Sequence, residues 1–122
     1  MSRARRPKSS LRSLSGSKAF TSFILDQLSD LPEVTARSMF GGVGLYCGGY
    51  FFGIIARDRL YLKVDAETRA DYERAGMQPF RPYPDRSGTM RYYEVPVGVV
   101  ESALDLCRWA RKAVAVAERA RR

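Results

Sequence analysis

Few side chains in this sequence offer a starting point for chemistry. Its 122 residues include no histidine. That removes imidazole as a general base, as a metal ligand and as the activator of a serine or cysteine nucleophile. The two thiols, Cys47 and Cys107, are sixty residues apart and form no CxxC pair. Neither a zinc site nor a dithiol redox motif can be read from that spacing. Each lies in an apolar run, one strand-like and one helix-like, so reduced core thiols in a reducing cytoplasm are expected, with a single disulfide as the alternative. The run from Gly42 to Cys47 begins like a GxGxxG loop, but it lacks the third glycine. It also leads into a strand, where a dinucleotide site needs a helix N-terminus. Asp58, between Arg57 and Arg59, reads as a solvated turn residue. Glu94 reads as a cross-strand partner for Arg91 or Lys63 rather than as a site carboxylate. No enzymatic activity, cofactor or metal is expected.

Two constellations of another kind remain. Tyr61, Lys63, Arg91, Tyr92 and Tyr93 place aromatics beside cations on β-rich runs. Such groups on an open sheet stack unpaired bases. Ordinary tyrosine packing is the simpler reading, because strand alternation cannot put Tyr92 and Tyr93 on one face. The second constellation is charge. The formal net charge is +8, but residues 1–18 hold six basic groups (Arg3, Arg5, Arg6, Lys8, Arg12, Lys18) and no acid. Residues 108–122 hold six basic groups against Glu118, while residues 19–107 hold nine basic and twelve acidic groups. The basicity therefore belongs to the two ends. Basic arms bind nucleic acid through phosphates or simply stay solvated, and both readings stand.

The elements that must position these groups follow from periodicity. Residues 1–16 are Arg- and Ser-rich without pattern and read as a disordered basic arm. Ser17 is a candidate N-cap for a first helix, in which Phe20, Phe23, Ile24, Leu28 and Leu31 form one stripe and Pro32 ends it. Val34–Ser38 reads as a strand. Gly41, Gly42 and Gly44 then mark a bend in which at least one glycine takes φ > 0. Strands near 44–47, 50–56 and 60–64 follow, with Gly48-Gly49 as a hairpin turn. In the last of these, Leu60, Leu62 and Val64 face a core. Asp65 caps a helix over 66–75 with Gly76 at its end, 81–88 is a loop, and 89–95 is a strand closed by Pro96.

The final helix is read over 99–118, with Val100, Ala103, Leu104, Cys107, Ala110, Val114 and Ala117 on one stripe. Leu106, Trp109, Ala113 and Val116 lie beside it. The apolar arc spans roughly 240° of the wheel, against roughly 100° for a surface helix. Either the fold wraps this helix, or those four side residues meet a second chain as a homodimer or partner interface. The order of elements predicts an α+β fold: a two-layer arrangement with an antiparallel meander of four to six strands and helices on one face. Residues 17–118 form one domain, and 119–122 a basic tail. No apolar run approaches the ~20 residues of a membrane span, and the N-terminus lacks the apolar region of a secretory signal.

The blocks Met39-Phe40-Gly41-Gly42-x-Gly44-Leu45-Tyr46, Leu60-Tyr61-Leu62-Lys63-Val64 and Tyr92-Tyr93-Glu94-Val95-Pro96 together resemble the N-terminal domain of the TfoX/Sxy family of bacterial competence regulators. The likeness covers roughly residues 19–117. It implies the same two-layer fold and a cytoplasmic, non-enzymatic regulator of DNA transformation. Its implied partner is an activator of the cyclic-AMP-receptor type or RNA polymerase. Longer family members carry a second, helical domain, and this sequence stops at Arg122, so a stand-alone N-terminal domain is the expectation. The alternatives are a small non-specific nucleic-acid-binding protein that uses its basic ends, and a dimeric interaction module. In all three readings the glycine block is a structural turn, with Met39 and Phe40 as its core anchor.

Overall fold

A computed structural model describes residues 18–39, 41–81 and 91–121. Nine elements follow in order: helix α1 (Lys18–Gln27), strands β1 (Val34–Met39), β2 (Gly42–Cys47), β3 (Tyr50–Ala56) and β4 (Arg59–Lys63), helix α2 (Arg69–Arg74), strand β5 (Tyr92–Glu94), and helices α3 (Val97–Val100) and α4 (Ala103–Ala120). The five strands form one sheet in the order β1-β2-β3-β4-β5, and each neighbouring pair is antiparallel. This is the expected α+β meander, with helices packed against an open sheet.

Three two-residue turns connect the first four strands. Met39 pairs with Gly42, Cys47 with Tyr50, and Ala56 with Arg59. The second turn is Gly48-Gly49, with φ of 57° and 87°, the left-handed pair that a type I′ hairpin demands. The third, Arg57-Asp58, takes φ of 53° and 61° without a glycine. The β1–β2 bend has Gly41 at φ 72°, and Phe40 lies outside the described residues. Beyond β5 the sheet gains a partial edge. Pro79 bridges Tyr93, the Phe80 amide donates to the Tyr92 carbonyl (2.8 Å), and the Glu94 amide donates to the Gln78 carbonyl (3.0 Å). Proline is tolerated there because an edge position needs no inward donor.

One face of the sheet carries the core. Leu45, Phe52, Ile55, Leu60 and Leu62 are fully buried together with Ile24 of α1, Leu28 in the turn after it and Leu106 of α4. Helix α4 lies across β3 and β4 and touches α1 and α3. Its inward side is largely small: Ala110, Ala113 and Ala117 are buried beside Cys107, Val114 and Val116. Small residues let the helix axis come close to the sheet, and closely packed interiors leave few voids.

The structure corrects the final helix. A continuous helix over 99–118 is interrupted at Ser102, which has extended φ/ψ of −110° and 108° and whose Oγ accepts from the Asp105 amide at 3.2 Å. Ser102 is thus the N-cap of α4, with Asp105 at the third helical position. The preceding turn, α3, is a separate element. Ala103 and Leu104 therefore leave the predicted stripe, and Leu104 is 70% exposed. At the other end the helix runs to Ala120, so Arg119 belongs to α4 and not to a free tail. The helix expected over 66–75 shortens to α2, because Asp65 and Thr68 hold 65–68 in a turn. Asp65 Oδ1 accepts from the Glu67 and Thr68 amides (3.1 and 2.9 Å), and Thr68 Oγ1 accepts from the Asp65 amide (3.1 Å). The basic arm, the Ser17 cap and most of the expected 81–88 loop fall outside the described residues.

Candidate functional site

The strand pattern sorts the motif residues onto two faces. Leu45, Leu60 and Leu62 point into the core. Tyr46, Tyr61 and Lys63, one position away from these, lie half-buried on the face opposite the helices. Met39 closes β1 on that same face, next to Gly44, and is therefore not the core anchor expected of it. The glycines there solve steric problems of two kinds. A Cβ on Gly42 would lie 2.6 Å from the Ile55 carbonyl oxygen, and one on Gly44 would lie 2.8 Å from Met39 Sδ and 3.0 Å from Phe51 Cε1. Gly41 is the member of the block with positive φ. One glycine therefore makes the turn, and the other two let the neighbouring strand and rings close over the backbone.

Above Gly44 runs a row of rings and cations across the whole sheet. The Arg37 guanidinium of β1 sits 5.3 Å from the centroid of the Tyr46 ring in β2. Tyr46 meets Phe51 of β3 at 5.1 Å, and Phe51 meets Tyr92 of β5 at 5.7 Å. Lys63 of β4 lies 4.9 Å from the Tyr92 ring centroid, and its Nζ donates to Tyr92 Oη at 3.4 Å. Burial lowers the Lys63 pKa, and the nearby Arg91 charge adds to the effect. Alongside the row, the Tyr61 ring packs at a tilt against Phe80, with centroids 4.8 Å apart. Burial raises the Tyr61 phenol, with the Glu94 carboxylate as a second cause.

Of the expected tyrosine constellation, the structure brings Tyr61, Lys63 and Tyr92 to one face and sends Tyr93 to the other. Tyr93 is buried, packs on Tyr72 at 6.0 Å and donates to Glu73 Oε2 at 3.2 Å. Glu94 pairs with Arg59 (3.2 Å), not with Arg91 or Lys63, because β4–β5 register sets Glu94 opposite Tyr61 and within reach of the arginine two residues earlier. Sequence reasoning missed Arg37, Tyr46, Phe51 and Phe80 as members of this face. The first three were within reach. A two-residue Gly48-Gly49 turn makes Cys47 and Tyr50 partners, and hence Tyr46 and Phe51. Only the irregularity between Leu45 and Tyr46, which turns Phe52 inward, had no signal. Phe80 arrives through the edge segment, which periodicity does not mark.

The expected interface on α4 is corrected by the fold itself. Leu106, Ala113 and Val116 are buried within the chain, at 0%, 1% and 4% exposure. Trp109 packs edge-on against Tyr72 of α2 at 4.7 Å. The sheet, α1 and α2 together cover most of the wide apolar arc, so three of these four residues are closed off from a second chain and Trp109 alone of the four stays partly exposed. Of the expected phosphate contacts, Lys18 opens α1 and is exposed, while Arg3, Arg5, Arg6, Lys8 and Arg12 lie outside the described residues. Cys47 and Cys107 are both free thiols. The Cys47 thiol donates to the Pro32 carbonyl at 3.3 Å, and burial raises its pKa. Among the described residues no group of histidine, cysteine or carboxylate side chains could hold a metal ion, and no helix is long and apolar enough to cross a membrane.

Residues 26–117, which contain the glycine block, all five strands and most of α4, match the family defined by the TfoX N-terminal domain. The chain belongs to that family. A stretch of 66 residues is also 33% identical to the DNA transformation protein TfoX1 of Aliivibrio fischeri. That similarity covers 53% of this chain and 32% of the relative, so the chain spans about a third of the curated protein it matches. In this TfoX N-terminal domain, the glycine block and the Leu60–Val64 block lie on either side of β3 in one sheet, with their leucines in the core and their tyrosines on the open face.

Proposed function

We propose that this protein is a non-enzymatic regulator of competence that acts in the cytoplasm through contact with the transcription machinery. The observation that carries the reading is the family match over residues 26–117, which spans the whole sheet. The similarity to a DNA transformation protein supports the same direction. The fold is suited to recognition. A rigid five-stranded scaffold holds aromatic and cationic side chains on its open face, and tyrosine and arginine are the residues most often found at interface hot spots. The partner is an activator of the cyclic-AMP-receptor type or RNA polymerase itself.

The test is affinity capture of the tagged full chain from its own cells after brief cross-linking. The activator or RNA polymerase subunits should be enriched over a control bait of equal charge. Capture that enriches neither would contradict the reading.

A further inference from the structure

The open sheet face carries side chains to which the family match assigns no role. Its side chains divide by chemistry. The five strands together contain three cations, Arg37, Arg59 and Lys63, and a single carboxylate, Glu94. Glu94 is engaged by Arg59 at 3.2 Å. Arg37 and Lys63 instead face rings, Tyr46 and Tyr92, at 5.3 and 4.9 Å. Arg37 stands at the β1 end of a continuous row in which Tyr46, Phe51 and Tyr92 follow one another at 5.1 and 5.7 Å, and Lys63 of β4 stands beside Tyr92, toward the other end. The rings are half-buried, so each keeps part of its surface open to solvent.

A ligand that satisfies this row must offer flat π-faces at short intervals and negative charge on both sides. A second copy of the chain offers rings but not the negative charge, because it would present the same positive face. A duplex hides its base faces. An unpaired strand meets both demands: its bases stack on aromatic side chains while cations track its phosphates, and four-stranded sheets with exposed aromatics bind RNA in this manner. We infer that the helix-free sheet face of this domain binds single-stranded nucleic acid, with Tyr46, Phe51 and Tyr92 stacking bases and Arg37 and Lys63 contacting the phosphates. This site is distinct from the basic arm, which would meet phosphates regardless of strandedness.

The test is fluorescence anisotropy of the full chain with labelled oligothymidylate, oligouridylate, a duplex of equal length and polyglutamate of equal charge. The variants are Tyr46→Leu, Tyr92→Leu, Tyr92→Phe and the pair Arg37→Gln with Lys63→Gln, each checked for folding by circular dichroism. The wild type should bind at least one single strand more tightly than the duplex. Preference between thymidylate and uridylate distinguishes DNA from RNA as the ligand. Each Tyr→Leu change should weaken binding about five-fold or more, the loss expected when a stacking ring is removed. Tyr92→Phe keeps the ring and should stay near wild type. The double charge variant should reduce the steepness of log affinity against log salt by about 0.7 for each cation removed. These two cations are partly exposed, so their variants remain informative if a tyrosine variant fails to fold. The inference is overturned if duplex or polyglutamate binds as tightly as the single strands, if no single strand binds, or if affinity and salt dependence are unchanged in the folded variants.

Discussion

Gly42 and Gly44 show how two neighbouring glycines can be required for different reasons. The Cβ of Gly42→Ala would lie 2.6 Å from a backbone oxygen, which cannot move without shifting β3. For Gly44→Ala the obstacles are the end of Met39 and the Phe51 ring, at 2.8 and 3.0 Å, which have more freedom. Overpacking of this sort costs about 1–3 kcal/mol, so Gly42→Ala should fall at or above the top of that range and Gly44→Ala near the bottom. Urea unfolding of both variants checks the order, and equal losses would count against it. Asp65 supplies a pH prediction. Hydrogen bonding from the Thr68 backbone, and then Arg119 at 2.8 Å, hold its carboxyl at about 2, against an ordinary 3.8. The folded-state pKa is depressed, so this stabilisation is complete above about pH 4 and is lost as the pH falls toward about 2. The melting temperature of Asp65→Ala should lie below wild type at neutral pH, and the gap should close over that acid window. A gap that persists at pH 2 would show that the carboxylate charge is not its source.

Among the elements, the hairpins and the last helix mark the limits of what a sequence displays. Leucines at 60 and 62 alternate with Tyr61 and Lys63, and that period alone assigns β4 and its buried face. Gly48-Gly49 fixes the β2–β3 register in the same local way. The break between α3 and α4 was also written locally, in Ser102 and Asp105, but an unbroken apolar pattern over 99–118 obscured it. Periodicity reports which face is apolar and says little about where a helix starts. The ring row was less legible, because it joins residues from β1, β2, β3, β4 and β5 and its assembly depends on register across every pair. Two predictions belong here. Ser102→Ala removes the acceptor for the Asp105 amide and should cost about 1 kcal/mol, measured by thermal unfolding, with loss of Leu104 and Asp105 amide protection in hydrogen exchange. Arg57 holds φ of 53° in a tight turn. Arg57→Asn, a residue at ease in that region, should raise stability by up to about 1 kcal/mol. A lower melting temperature would show that the arginine side chain stabilises the turn by more than its backbone strains it.

At the scale of the whole molecule, the sheet separates two surfaces of different character. The helix side is closed by α1, α2 and α4, and Trp109 is part of that closure through Tyr72. Lys112 and Arg119 add ion pairs from α4 to Asp71 (3.5 Å) and Asp65 (2.8 Å), which fasten the helix to the α2 region. Trp109→Ala should therefore lower stability by about 2 kcal/mol or more while leaving the sedimenting mass unchanged. A mass that halves without unfolding would restore the interface reading of this helix. The other side of the sheet is the face on which the proposed nucleic-acid binding rests.

The most direct measurement of the proposed role as a competence regulator is a competence-gene reporter in cells lacking the native gene, complemented with the full chain and assayed with and without the cyclic-AMP-receptor-type activator. Complementation should raise reporter output only where the activator is present, and the folded Arg37→Gln/Lys63→Gln variant serves to ask whether the open face takes part. No rise in either background, or an equal rise without the activator, would contradict a regulator that works through the transcription machinery.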